Sequence, residues 1–366
     1  MGEPNHIKPL TSLRFLAAMW VVIYAFWPDL GLGFVPNLVA KGYLGVELFF
    51  VLSGFILCHV YLQAFGEKRA HYGGFLWARL ARVYPLHLAT LIGVGALGFA
   101  AVAAGMSIDS NVLSWASLPA NLFMVHAWGF APEAGWNHPS WSISAEWFAY
   151  LAFPAFAWAA WRLRERPVVA LAATLAGMMA LYVVFERLAG FSLTEATIRW
   201  GALRIVPCFA YGCAAYLAWR KGGVSRPGLF SLTAAGLIAL SAAVGLWDGV
   251  IVALFGVLIL SLASLDDRKA GPLASPFAIY LGEISYSVYM VCVPWKLLGV
   301  NAAQKLTGAG DAGLHIAVWS ALVLAVPVIA AISYHVVERP ARRWMRDLAA
   351  RRGVAAGRDD QARQLA

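Results

Sequence analysis

The sequence predicts an all-α, polytopic integral membrane protein, and three observations predict it. The first is composition: of 366 residues, 61% are apolar and 13% charged, where soluble domains hold about 45–50% and about 25%. The second is patterning. The mean hydropathy of +0.69 is concentrated in apolar runs of 17–23 residues separated by short loops, the length that crosses a hydrocarbon layer. The third is charge placement. Of the 28 basic residues, 22 fall in clusters at the ends of runs or between them, as the positive-inside rule requires. An ordinary soluble, fibrous or disordered chain is excluded, and the 16 Trp and 13 Tyr suit a protein with many bilayer interfaces.

Ten spans follow in order: 11–28, 43–64, 83–104, 141–161, 168–187, 201–219, 229–246, 249–265, 277–298 and 314–336. A weaker stretch at 112–126 is broken by Ser114, Ser117, Pro119 and Asn121. The basic clusters lie at Lys8 and Arg14, at Lys68, Arg69, Arg79 and Arg82, and at Arg162, Arg164 and Arg166. Others lie at Arg220, Lys221 and Arg226, at Arg268 and Lys269, and along a tail with eight arginines from Arg339 to Arg363. With ten spans every cluster faces one side and both termini are cytoplasmic. Counting 112–126 as a span would reverse the later loops, so 105–140, which has no Lys or Arg, reads as an external loop with an interfacial or re-entrant piece.

The formal net charge of +9 is therefore topology signal, and nucleic acid is not an expected partner. Residues 1–346 read as a single transmembrane domain, with 347–366 as a basic, flexible cytoplasmic tail. The first span is full length and lacks an A-x-A site, which argues against a cleaved signal peptide. Four cysteines, Cys58, Cys208, Cys213 and Cys292, are scattered through the spans. Neither a zinc site nor a disulfide framework is indicated, and no phosphate-binding GxxxxGK[ST] loop or internal repeat is evident.

Ionisable residues inside spans are costly and usually functional. Arg14 stands at the cytoplasmic start of the first span and Glu47 in the external half of the second. Glu146 follows Asn137 and His138 at the top of the fourth, Glu283 and Ser285 enter the ninth, and His335 closes the tenth. Each, taken alone, could be a snorkelling or helix-bridging group, and Arg204, His59 and Lys296 are read that way. Position 25 lies eleven residues from Arg14, about 16 Å along a helix, which places it near mid-bilayer. Arg79 and Arg82 lie one turn apart on one helix face, a fork suited to phosphate, or else simple positive-inside anchors.

Six segments carry a resemblance: LTSLRFLAAMWVVIYAFWP (10–28), GYLGVELFFVLSGFIL (42–57), FLWARLARVYPLHL (75–88), NHPSWSISAEWFAYLAFP (137–154), LGEISYSVYMVCVPW (281–295) and VERPARRW (337–344). Together, and in this order, they resemble the acyltransferase-3 family of membrane O-acyltransferases over nearly the whole chain. The resemblance implies transfer of an acyl group, by default acetyl, from cytoplasmic acyl-CoA to a hydroxyl of a cell-surface or lipid-linked glycan. It implies a bacterial inner-membrane location, with acyl-CoA, the glycan and membrane lipids as partners. The donor would be a substrate, and no permanently bound cofactor or metal is expected.

The implied donor contacts are Arg14, Arg79, Arg82 and Tyr84, with the phosphates at Arg79 and Arg82 and the pantetheine arm beside Arg14. The implied acceptor contacts are Glu47, Asn137, His138 and Trp141, with Glu146 in the catalytic set as an orienting or sugar-binding carboxylate. The glycines of GYLG and LSGF would allow backbones or a narrow ligand to approach closely. One departure is pointed. The family's first-helix signature is Arg, ten residues, then His, and here Arg14 is followed by Ala25. A sugar hydroxyl is a poor nucleophile that needs a positioned base, most often His, and a methyl group accepts no proton. The sound state of the other motifs favours an engineered His→Ala change over natural loss; either leaves this chain inactive. Cys292 stands where relatives often carry His, and reads as a small buried hydrophobe rather than a nucleophile. A transporter or flippase and a catalytically silent binding homologue are the rival classes; acetyl-CoA binding separates them.

Overall fold

The computed structural model describes residues 7–105, 112–308 and 313–351, and among these every regular element is helical. In chain order they are α1 (Lys8–Phe26), α2 (Asn37–Ala40), α3 (Gly45–Gly66), α4 (Tyr72–Ala103), α5 (Leu118–Leu122), α6 (Trp141–Leu151), α7 (Phe153–Arg162) and α8 (Pro167–Ala189). There follow α9 (Gly201–Arg220), α10 (Pro227–Ala243), α11 (Asp248–Ala263), α12 (Pro276–Glu283), α13 (Ser285–Thr307), α14 (Ile316–Ser333) and α15 (Arg339–Arg351).

Among the described residues six helical stretches are long and apolar enough to cross a membrane: those built on α1, α3, α4, α8, α9 and the continuous run from α14 into α15. The pair α12 and α13, bent by 54° at Ile284, makes a seventh if it crosses as one. Helices α10 and α11 are apolar but only 17 and 16 residues long. The expected fourth span is divided at Ala152, because Pro154 lacks the amide that would continue α6 and instead occupies the first turn of α7. The stretch 112–126 forms only short turns and the five-residue α5, too short to span. Residues 106–111 of that loop fall outside the described residues. Part of the expected tail, 347–351, continues α15, and 352–366 fall outside the described residues.

The outward faces are apolar: Leu188 is 84%, Leu232 75% and Leu324 69% exposed. In water such a surface would be an aggregation liability; in a bilayer it is ordinary lipid contact. The chain is a multi-pass membrane protein. Inside, one apolar cluster joins α3, α6, α7, α8, α9 and α11. A second joins α1, α13 and α14 through Ala18, Val22, Phe26, Val288, Cys292 and Val326. Phe49 packs against both.

Helices α3 and α9 approach each other closely. A side-chain carbon at Gly54 would collide with the carbonyl oxygen of Phe209, and one at Gly212 with that of Val51. Here the LSGF glycine admits a neighbouring backbone, the small-residue contact by which membrane helices pack. Gly54→Ala is expected to lower the melting temperature of the detergent-solubilised protein, at a cost of about 1–3 kcal/mol for overpacking. Gly177→Ala, in α8 with open space around it, should be neutral or stabilising. Equal melting of Gly54→Ala and the unaltered chain would refute the tight-contact account.

Candidate active site

One face of α3 presents Val46, Phe49, Phe50, Ser53, Ile56, Leu57 and Val60 at helical spacing to a cavity of about 270 Å³. Val46 to Val60 spans about 21 Å at 1.5 Å per residue. The other walls come from α1, α4, α6, the α12–α13 bend and the turn into α15. Three contacts fix the register. Phe50 meets Trp141 edge-on with centroids 6.1 Å apart at one end. Ser53 Oγ donates to Glu146 Oε1 at 2.6 Å midway. Arg79 Nη2 donates to the Tyr61 hydroxyl at 3.3 Å at the other end.

The two ends differ in chemistry. Near Val46 the lining is apolar or hydroxylic: Phe49, Phe50, Ile143, Ser142 and Tyr289. Ser142 and Tyr289 both donate to the Pro139 carbonyl, at 3.1 and 3.0 Å. Toward Tyr61 the lining is charged, with Arg14, Arg79, Arg82 and Arg342 facing Glu146, Glu283 and Glu338. Glu338 accepts from Ser287 Oγ at 2.7 Å, and Tyr286 donates to the Val83 carbonyl at 2.6 Å. Pro85 leaves the Ala81 carbonyl without its helical donor, one residue before Arg82. The structure thus brings Arg14, Arg79, Arg82 and Glu146, from three separate helices, into one space.

The other sequence-predicted residues lie outside the cavity lining. Ala25 is in the last turn of α1 and not at its middle. The helix begins at Lys8, so eleven residues beyond Arg14 reach its far end, where Pro28 opens the next turn. Ala25 packs on the second apolar cluster, as Phe49 does, and its carbonyl accepts from Lys296 Nζ at 2.5 Å. Lys296 also pairs with Asp29 at 3.1 Å. Tyr84 packs against the main core. Cys292 is buried in the second core.

Glu47, expected to meet an acceptor, is fully buried and binds Arg204 instead. Arg204 donates from Nε to Oε1, from Nη2 to Oε2 at 2.9 Å, and from Nη1 to the Ala196 carbonyl at 2.7 Å. Trp141, expected to stack on a sugar, has this guanidinium 4.5 Å from its ring centroid. Two opposite charges within an apolar bundle gain more by pairing than by facing separate spaces. Asn137 is buried, with Nδ2 donating to the Met290 carbonyl at 3.1 Å, while His138 is exposed. Beside them in the loop between α4 and α6, burial and then the proximity of His87 push the His126 imidazole down to about 3, so it is neutral at pH 7. Among the described residues no group of three or more His, Cys, Asp or Glu could hold a metal ion.

Sequence reasoning missed Ser53, Tyr286, Tyr289, Glu338 and Arg342 as lining residues. The 46–49–50–53 spacing would have found Ser53. Arg342 lay in the run of arginines from Arg339 to Arg363, whose charge reads as topology signal on a solvated or headgroup-facing helix.

A multi-pass membrane protein with a charged cavity running along its helices is the class that fold and site define. A family model described as an acyltransferase domain matches residues 8–335. Acyltransferase MdmB of Streptomyces mycarofaciens is 30% identical over an alignment of 408 residues that covers 98% of this chain and 97% of that protein. Protein 2 in picA locus of Rhizobium radiobacter is 50% identical over 52 residues, 14% of this chain and 27% of its own. No solved structure matches. The chain belongs to the acyltransferase-3 family.

Proposed function

We propose that the cavity is the donor site for acyl-CoA, by default acetyl-CoA, and that the family reaction here is transfer to a glycan hydroxyl across a bacterial inner membrane. The carrying observation is that Arg14, Arg79, Arg82 and Glu146 line a single cavity with a cationic end and an apolar end. The cationic end suits phosphates; the apolar end, about 21 Å away along α3, suits a thioester and its acyl group. The basic clusters support ten crossings with both termini cytoplasmic, a topology in which the cationic end lies on the side where acyl-CoA is made.

Attack of the hydroxyl on the thioester forms a C–O bond and breaks the C–S bond. The hydroxyl proton passes to a base, and the coenzyme A thiolate leaves and takes up a proton. Glu146, held by Ser53, is placed to orient groups along the cavity. Ala25 supplies no base, so this chain binds donor without turning it over efficiently.

Acetyl-CoA is expected to bind the purified protein, and Arg79→Gln with Arg82→Gln to weaken that binding by roughly tenfold or more, from the loss of charge-assisted contacts. Isothermal titration in nanodiscs measures this. Unchanged affinity in the double variant would remove the phosphate role, and no binding by the unaltered chain would favour a transporter for another solute.

A further inference from the structure

The C-terminal amphipathic helix brings a second pair of arginines to the pair on α4. Arg342 lines the cavity, and Arg346 follows one turn later on the same face. The helix is docked by Trp77 Nε1, which donates to the Met345 carbonyl at 2.8 Å, between those two positions. A single π-helical turn, Tyr334–Glu338, joins it to α14. The extra residue of such a turn shifts the helix register, and Glu338 within it is anchored by Ser287. Arg342 lies within electrostatic range of Arg82 and of the carboxylates Glu338 and Glu283, and Arg346 of Arg342, Arg79 and Arg82.

Four guanidinium groups on two packed helices repel one another. Among the described residues none of the four forms an ion pair with a carboxylate within 4.0 Å. The Nε of Arg79 is buried without a hydrogen-bond partner there. A face that gathers cations, leaves a donor unused and opens into a cavity is built for a multiply charged oxyanion. Arg343, by contrast, is exposed.

We infer that α15 is part of the donor site: Arg342 and Arg346 join Arg79 and Arg82 to clamp the pyrophosphate and 3′-phosphate of a nucleotide-bearing donor at the cavity mouth. The inference rests on the acyl-CoA reading and extends it to a helix that the charge pattern alone assigns to solvent or to lipid headgroups. Phosphate-bearing lipid headgroups share the chemistry, so the test separates the two.

The full-length protein is reconstituted in phosphatidylcholine nanodiscs and titrated with coenzyme A and with 3′-dephospho-coenzyme A. Arg342→Gln and Arg346→Gln should each weaken coenzyme A binding by roughly tenfold and flatten its salt dependence, whereas Arg343→Gln should bind as the unaltered chain does. Arg346→Lys, which keeps the charge and loses the planar fork, should fall between and guards against a folding defect. Affinity for coenzyme A that survives both glutamine variants overturns the inference while leaving the acyl-CoA reading in place. Surviving affinity combined with weaker retention on phosphatidylglycerol vesicles assigns the cluster to headgroups and likewise overturns it. If the unaltered chain binds no coenzyme A, the acyl-CoA reading itself falls.

Discussion

Ala25→His is expected to raise acetyl transfer from acetyl-CoA to a glycan acceptor by about 10²–10⁴-fold over the present chain, the usual contribution of a positioned base. The site is prepared for it. Ala25 is only partly buried, its backbone is tied to Lys296 and through it to Asp29, and it shares the second apolar cluster with Phe49, a cavity residue. Phe49, on the same cluster, is the link between this end of α1 and the apolar end of the cavity. Ala25→Gln, of comparable size without a basic nitrogen, should show no gain. Transfer of labelled acetyl in membranes measures both. A histidine variant no faster than the alanine chain would refute the base-deletion account.

Arg204→Met is expected to destabilise the folded protein by about 3–5 kcal/mol, because it strands the fully buried Glu47 carboxylate. The Ala196 carbonyl and the Trp141 ring would lose their cation as well. The double change Glu47→Leu with Arg204→Met removes both charges and should recover most of that loss, since an apolar pair of similar volume is often as stable as a buried ion pair. Melting of the detergent-solubilised variants reads the difference. A double variant as unstable as Arg204→Met alone would show that packing, not the stranded charge, dominates.

Apolar runs made the long helices legible, because a lipid-facing helix has no other way to be built. Boundaries were less so. The run 277–298 reads as one span, yet it bends at Ile284 and continues to Thr307 past Lys296, Asn301 and Lys305, polar residues that end the hydropathy signal without ending the helix. Arg14 and Glu146 stood out because charge inside an apolar run is expensive, and Arg79 and Arg82 because they lie one helical turn apart. Glu47 stood out for the same reason, but its partner lies 157 residues away, and pairing at that distance leaves no local pattern. Arg342 was hidden for the opposite reason: in a stretch dense with arginine, one that turns inward looks like its neighbours.

The contact at Gly54 and Gly212 has a mechanical consequence. Two helices locked carbonyl against backbone cannot slide past each other, so α3 offers the cavity a fixed wall. Elsewhere in the lining, the 54° break at Ile284 lies between Glu283 and Ser285. Gly282, next to that break, is packed against the Thr11 carbonyl as closely as Gly54 is against that of Phe209, so the cavity is braced on both sides.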